Sequence, residues 1–395
     1  MEFRRISALP PYAFAEIDRL KLELRRAGED VIDLGFGNPD LPSPPEAVAK
    51  LQEAAAKERN HRYSSSRGIP RLRAAVCELY RRRFGVELDP ETQALTTIGA
   101  KEGLSHLMWV LVQPGDVAVV PTPTYPIHTY APVLAGATVA QARVDGGFAA
   151  FEEAFASAPV RPRVIVLSYP HNPTTTVAEP DLFERAVAFA RENEVLIAHD
   201  FAYADIAFDG YRPPSILEVE GAADVAVELY TLTKGFSMAG WRVGFLLGNA
   251  EVVGALARLK SYLDYGTFQP IQIAAIVAMN EAPGYPDEIT EIYRGRRDVL
   301  CRGLARIGWE IEPPRATMFV WAEIPEPYRA EGSQAFAVRL AREARVAVSP
   351  GAGFGPGGEG YVRFALVENE QRIAQATRGI RRALAELESP ARAPR

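Results

Sequence analysis

A chain of 395 residues is longer than one small hydrophobic core organises and suits two domains. Hydrophobic residues make up 48% and charged residues 24%, an ordinary globular balance, and 44 basic against 50 acidic residues leave a net charge of −6, so there is no case for a nucleic-acid footprint. No stretch has the length of an apolar membrane span, and two arginines near the start have no apolar run after them. The expected location is therefore the cytoplasm, with no membrane and no secretory signal.

In chain order, residues 1–45 read as irregular, with one amphipathic helix over 14–26 and a Pro-punctuated stretch over 38–45. Helix and short strand then alternate. A strand is expected over 92–98, a helix over 101–112, and a strand over 117–120 that runs into the Pro-rich loop 121–126. Further strands are expected over 164–168, 195–199, 225–231 and 243–247, with a helix over 181–193. Apolar runs of this length between helices indicate a sheet buried on both faces, and so an α/β domain with a mostly parallel sheet. Helical patterns dominate from 250 to 307. A different texture follows, with strands over 318–324, 346–349 and 361–366 and helices over 333–344 and 370–387, which reads as a smaller α+β domain. The tail 389–395 is expected to be disordered. The glycine-rich stretch 351–358 lacks a P-loop's Lys-Ser/Thr ending and precedes a strand, so it reads as a mobile connection in the small domain. Cys77 and Cys301 lie in helical contexts and read as buried small hydrophobes in a reducing compartment. No Cys or His cluster has metal-ligand spacing, so no metal is expected.

The chemistry concentrates in the run Tyr230-Thr231-Leu232-Thr233-Lys234-Gly235-Phe236-Ser237-Met238-Ala239-Gly240-Trp241-Arg242, which follows a strand. A partly desolvated lysine amine has a lowered pKa and can form a Schiff base with an aldehyde. Two hydroxyls and a planar cation beside it could hold a phosphate. A surface lysine at a strand end is the competing reading of Lys234 taken alone.

The run closely resembles the cofactor-lysine segment of pyridoxal-phosphate aminotransferases of classes I and II. The resemblance continues, motif after motif in the family's order, from near Tyr12 to about Leu387. It implies a fold-type-I architecture: a three-layer αβα large domain over 46–282, and a small domain built from 1–45 together with 283–388. It also implies pyridoxal 5′-phosphate as cofactor, with Lys234 as its Schiff-base partner. Asp200, in His199-Asp200-Phe201-Ala202-Tyr203, matches the carboxylate that keeps the ring nitrogen protonated, and Tyr203 the donor to the ring hydroxyl oxygen. Asn172, in Pro170-His171-Asn172-Pro173-Thr174, matches the second donor. Thr175 stands where the family usually has glycine, which leaves that turn's conformation open. Gly99, Ala100 and Lys101 open the helix whose first amides attract the phosphate, and Arg242 and Thr231 complete the cup. Thr233 either joins it or packs, and Lys101 either adds charge or is solvated. Tyr125 matches the ring stack, Arg363 the clamp on the substrate's α-carboxylate, and Gly37 the loop whose backbone meets the same carboxylate. Tyr63 matches a tyrosine that reaches the partner subunit's phosphate, which implies a homodimer with shared active sites.

The activity so implied moves an amino group between an L-amino acid and a 2-oxo acid such as 2-oxoglutarate, with Lys234 as general base and acid. The segment from His199 to Asn249 is most similar to the alanine and LL-diaminopimelate branch, so the donor is of alanine, glutamate or LL-diaminopimelate type. A C–S β-lyase using the same cofactor is the alternative. A non-catalytic cofactor-binding regulator is a third reading, and the early start of the resemblance leaves no room for the DNA-binding domain such proteins carry.

Overall fold

The structure is a computed structural model that describes residues 3, 6, 9, 10, 14–179 and 181–384. The tail expected to be disordered lies outside the described residues. Helix α1 (Ala15–Arg26), strand β1 (Ile32–Asp33) and helices α2 (Pro45–Ala55) and α3 (Pro70–Phe84) come first. Strand and helix then alternate: β2 (Ala94–Thr97), α4 (Ala100–Leu111), β3 (Val117–Thr122), α5 (Pro126–Ala135), β4 (Thr138–Arg143) and α6 (Gly147–Ala156). Next are β5 (Val164–Ser168), α7 (Leu182–Glu192), β6 (Leu196–Asp200), β7 (Ala226–Thr231) and β8 (Gly244–Gly248). Helices α8 (Ala250–Leu263), α9 (Gln269–Glu281) and α10 (Tyr285–Ala305) lead to the last elements. These are β9 (Phe319–Glu323), α11 (Ser333–Arg339), β10 (Val346–Ala347), β11 (Ser349–Pro350), β12 (Tyr361–Ala365) and α12 (Glu370–Ala383).

Seven strands form one sheet in the order β2-β8-β7-β6-β5-β3-β4, parallel except for β8, which runs against both its neighbours. Alternation along each strand feeds two cores. Ile165, Leu167, Ala226 and Tyr230 point to one face of the sheet, and Val164, Val166, Val227 and Leu229 to the other. Strands buried at every residue read as continuous apolar runs, which is why β5, β7 and β8 are visible in the sequence. Edge strand β4, Thr-Val-Ala-Gln-Ala-Arg, is largely solvated and interrupted by Thr138, Gln141 and Arg143, and the apolar-run criterion passes over it.

The topology places the site. Parallel strands β2, β3, β5, β6 and β7 all end at one edge, and ligands of open α/β sheets bind outside such carboxyl ends. The reversed β8 starts at that same edge, so Arg242, just before it, arrives there too.

A third core joins Ile17, Val31, Ile32 and Leu34 from the N-terminal segment to Leu300, Val320, Phe336 and Phe364 from the C-terminal part. Its antiparallel sheet runs β11-β12-β9. The single strand expected over 346–349 is divided. Val346 and Ala347 pair in parallel with Ile32 and Asp33, whereas Ser349 and Pro350 pair with Arg363 and Val362. Strand propensity does not show which partner each half takes, since both Val346-Ala347 and Ser349-Pro350 are fully buried. The glycine-rich stretch is likewise docked rather than a mobile connection. Gly351–Phe354 forms a 3₁₀ turn with Phe354 buried, the Thr124 amide donates to Phe354 O (2.8 Å), and the Thr122 hydroxyl donates to Pro356 O. Among the described residues no helix is long and apolar enough to cross a membrane.

Candidate active site

A cavity of about 380 Å³ opens at the carboxyl edge of the large sheet, against the small sheet and α1. Its wall brings together Gly37, Ala100, Lys101, Tyr125, Asn172, Asp200, Tyr203, Thr231, Thr233, Lys234, Arg242 and Arg363. Of the residues singled out in the sequence, Gly99 lies just behind the wall and Tyr63 lies outside it. Tyr63 is 84% exposed and packs at a tilt against Tyr265, with ring centroids 4.6 Å apart.

Lys234 leaves the end of β7 and donates from Nζ to Gly37 O at 2.8 Å, with the amine 5.8 Å from the Tyr203 ring centroid. Burial lowers its pKa to about 7; Arg363 and Arg242 push the same way and Asp200 opposes them. Such an amine is partly neutral near pH 7 and is a competent nucleophile and base. Gly37 must be glycine, because a Cβ there would lie 2.5 Å from the Phe319 ring.

Asp200 closes β6. Its Oδ2 lies 2.8 Å from His128 Nε2, while Oδ1 is buried with no hydrogen-bond partner among the described residues. An unmatched buried carboxylate oxygen is costly and fits a cationic N–H donor from a ligand. His128 Nδ1 lies 2.6 Å from Thr124 Oγ1, which is 3.3 Å from His171 Nε2. The sequence reading missed this buried relay. The available signal was a histidine one helical turn after Tyr125, and its partner is 72 residues away.

Arg363, inside β12, donates from Nη1 to Asn172 Oδ1 (2.7 Å) and from Nη2 to Gly35 O (3.0 Å). Phe319 and Phe354 sandwich its guanidinium, with centroids 4.0 and 4.7 Å away. The fork is thus held flat before any carboxylate arrives. Asn172 spends its carbonyl oxygen on Arg363, which leaves Nδ2 as its donor. Thr175 keeps the left-handed conformation usual for the glycine it replaces, with φ at 62°. Burial among apolar neighbours pushes the Tyr203 hydroxyl well above its ordinary pKa, so it stays protonated as a donor.

At the other end of the cavity, Gly99 caps the first turn of α4, and a Cβ there would sit 2.2 Å from Arg242 Nη2. The guanidinium therefore lies flat against a glycine beside free helix amides, a cradle for an anion. Thr231 Oγ1 donates to Val243 O (2.9 Å) and lies 2.8 Å from Thr233 Oγ1. With the Thr231 proton on Val243 O, Thr233 is the donor between the two hydroxyls, so either one reaches a phosphate by releasing its present acceptor. Lys101 is exposed, with its Nζ 5.7 Å from the Tyr125 ring centroid, within cation–π range. Away from the cavity, ligand atoms of Glu102, His106 and Asp264 lie within 4.8 Å of one another, a grouping that spacing did not predict. The Lys260 ammonium lies 2.8 Å from Glu102 and 2.9 Å from Asp264 and supplies a cation there.

The residues present fit pyridoxal 5′-phosphate: an amine of lowered pKa, a carboxylate oxygen awaiting a donor, an anion cradle and a preformed guanidinium. The family model for aminotransferase class I and II matches residues 29–380. The glutamate-pyruvate aminotransferase AlaC of Escherichia coli K12 is 51% identical over 382 residues, covering 96% of this chain and 93% of that protein. An LL-diaminopimelate aminotransferase of Syntrophobacter fumaroxidans is 44% identical, covering 96% of this chain and 97% of that protein. Among solved structures, substrate-bound BacF of Bacillus subtilis superposes with a TM-score of 0.89 at 33% identity, covering 96% of this chain and 97% of that one.

Proposed function

The chain belongs to the class I and II aminotransferases, and we propose that it exchanges the amino group between L-alanine and 2-oxoglutarate, giving pyruvate and L-glutamate. The observation that carries the chemistry is Lys234, its pKa lowered to about 7 by burial in a cavity shared with Arg363 and a half-paired Asp200. The choice of substrate rests on the 51% identity to AlaC across nearly the whole of both chains. LL-diaminopimelate as donor is the second reading, favoured by the 44% identity to an enzyme named for it.

Arg242, the α4 amides and Thr231, with Thr233 beside it, would hold the cofactor's phosphate, Asp200 its ring nitrogen, Asn172 and Tyr203 its ring oxygen, and Tyr125 its face. When bound, pyridoxal phosphate supplies an aldehyde that takes up the amino group and a ring that disperses the electron pair left as the α-proton departs. Arg363 grips the substrate's α-carboxylate through two parallel N–H bonds and so fixes which Cα bond faces Lys234. The Lys234 amine removes the proton from Cα of the amino donor and, in the reverse half-reaction, delivers a proton to Cα of the accepting 2-oxo acid. Its lowered pKa lets it act in both directions near neutral pH.

Two domains, 46–282 and 1–45 with 283–388, are part of the proposal. The separate cores on the large sheet and around β12 support the division. So is a homodimer with shared sites, supported by the exposed aromatic set Tyr63, Tyr262, Tyr265 and Phe268. The proposed compartment is a reducing cytoplasm, consistent with the buried free thiols of Cys77 and Cys301.

The test is a single half-reaction. The cofactor-loaded protein is mixed with one amino acid at a time, and the released 2-oxo acid is measured beside the cofactor's visible absorbance. L-Alanine and L-glutamate should release pyruvate and 2-oxoglutarate. Reaction with LL-diaminopimelate alone would establish the second reading. Release from none of the donors would overturn the assignment.

A further inference from the structure

Five cationic side chains line the cavity among the described residues: Lys21, Lys101, Lys234, Arg242 and Arg363. Four are accounted for: the reacting amine, the phosphate guanidinium, the α-carboxylate fork, and an ammonium over the Tyr125 ring. Lys21 remains. It enters from α1, one helical turn after Ile17, where Phe14, Ile17 and Phe36 make the wall largely apolar and Asp18 is its other charged group. An ammonium in an apolar wall costs desolvation unless a carboxylate meets it.

Lys21 has two such partners, and they differ. Asp33 Oδ2 is 2.7 Å away with its side chain only 20% exposed. The other oxygen of Asp33 accepts from the Gly35 amide at 3.0 Å, at the head of the loop that meets Arg363 and Lys234. Asp18, also 2.7 Å away, is 49% exposed and lines the cavity itself. One partner is built into the loop and the other is a solvated side chain on the same helix, held by an i,i+3 pair of the kind worth only a few tenths of a kcal/mol.

Transamination between alanine and glutamate requires one pocket to accept both a methyl group and a chain ending in a carboxylate. Resting on that reading, we propose that Lys21 recognises the distal carboxylate of L-glutamate and 2-oxoglutarate, exchanging Asp18 for it while Asp33 holds the ammonium in place. With alanine or pyruvate bound, Asp18 stays on the ammonium that Asp33 already neutralises, so the small substrates leave none of its cavity-side N–H donors unmatched. With a dicarboxylate bound, Asp18 turns to solvent. The local charge count is the same in both states.

The measurement is the ratio of kcat/KM for L-glutamate to that for L-alanine in half-reactions of the loaded enzyme. Lys21→Met keeps the aliphatic stem and removes the charge. It should lower the ratio about tenfold or more, the loss of one hydrogen bond to a charged group. Lys21→Arg should restore the ratio to within about threefold, and Asp18→Asn should raise it, because the competing partner is gone. Calorimetry with glutarate, an unreactive dicarboxylate, gives a readout independent of turnover: its Kd should weaken in Lys21→Met while that of propionate does not. An unchanged ratio, or unchanged glutarate binding, in a folded Lys21→Met would overturn the proposal. So would a Lys21→Arg no better than Lys21→Met. If the wild type converts both amino acids and only the variants disagree, the function stands and Lys21 is not the reader. If the wild type converts neither, both readings fall.

Discussion

His128 Nε2 lies 2.8 Å from Asp200 Oδ2, so a histidine on α5 holds one oxygen of the carboxylate at the end of β6 and leaves the other buried with no hydrogen-bond partner among the described residues. The residues come from neighbouring crossovers of the sheet, and the contact forms only when β3, β5 and β6 lie side by side. Without His128 the carboxylate would have two unmatched oxygens and freedom to rotate. His128→Phe should lower kcat/KM and cofactor affinity by roughly tenfold to a hundredfold, the worth of one charge-assisted hydrogen bond. Half-reaction kinetics and cofactor titration check this. An unchanged cofactor Kd would show that His128 does not position Asp200.

The Lys234 amine gives the fold a pH dependence with a definite sign. Its pKa is about 7 when folded, whereas a solvated lysine in the unfolded chain titrates near 10.4. Between those values the unfolded chain binds the extra proton, so unfolding free energy rises with pH through the window, by up to about 1.4 kcal/mol per pH unit. Below pH 7 both states are protonated, and the full cost of burial remains. Urea denaturation of cofactor-free protein at pH 7 and pH 9 should show the rise in the wild type and a shallower one in Lys234→Met. Equal slopes would contradict the lowered pKa.

Gly99 and Arg242 share one space. A methyl group at position 99 would sit 2.2 Å from Arg242 Nη2, on a backbone with φ at 81° that side chains rarely adopt. Gly99→Ala should therefore displace the guanidinium and weaken cofactor binding by about tenfold or more, with unfolding changed by roughly 1–2 kcal/mol from the left-handed backbone. Equilibrium dialysis of the cofactor, set beside thermal melting, separates the two effects.

Thr175 adopts φ 62° next to the Asn172 turn, and its amide donates to His171 O at 2.9 Å. A β-branched residue there is strained by about 1–2 kcal/mol, partly offset because glycine has more backbone entropy to lose on folding. Thr175→Gly should be neutral to stabilising by about 0.5–1 kcal/mol in urea, with kcat/KM retained. A clear destabilisation would mean that the threonine side chain contributes packing that outweighs its strain.

The parts of the site that could be read early are those carried by one contiguous run. Residues 230–242 hold the hydroxyls, the lysine and the arginine in a fixed spacing, Asp200 ends the mostly apolar β6, and Asn172 follows the mostly apolar β5 by four residues. Local order alone places such residues at a strand's carboxyl end. His128, Thr124, Phe354 and Lys21 could not be found that way. Each is ordinary in its own segment: a histidine in a helix, a threonine in a Pro-rich loop, a phenylalanine among glycines, a lysine on an amphipathic face. Their meaning comes from partners far along the chain or from the cavity they share.

From sequence alone one could establish an α/β sheet buried on both faces, the strands that end at its active edge and the residues that arrive there. Those features follow from apolar periodicity and short-range chain geometry. Only the tertiary structure decided that 346–349 divides between two sheets, that 351–358 docks against Thr122 and Thr124, and that Lys21 meets both a fixed and a displaceable carboxylate. These outcomes depend on which surfaces meet once several elements have packed, and hydrogen-bond satisfaction and charge pairing between distant segments choose among arrangements that local propensity leaves equal.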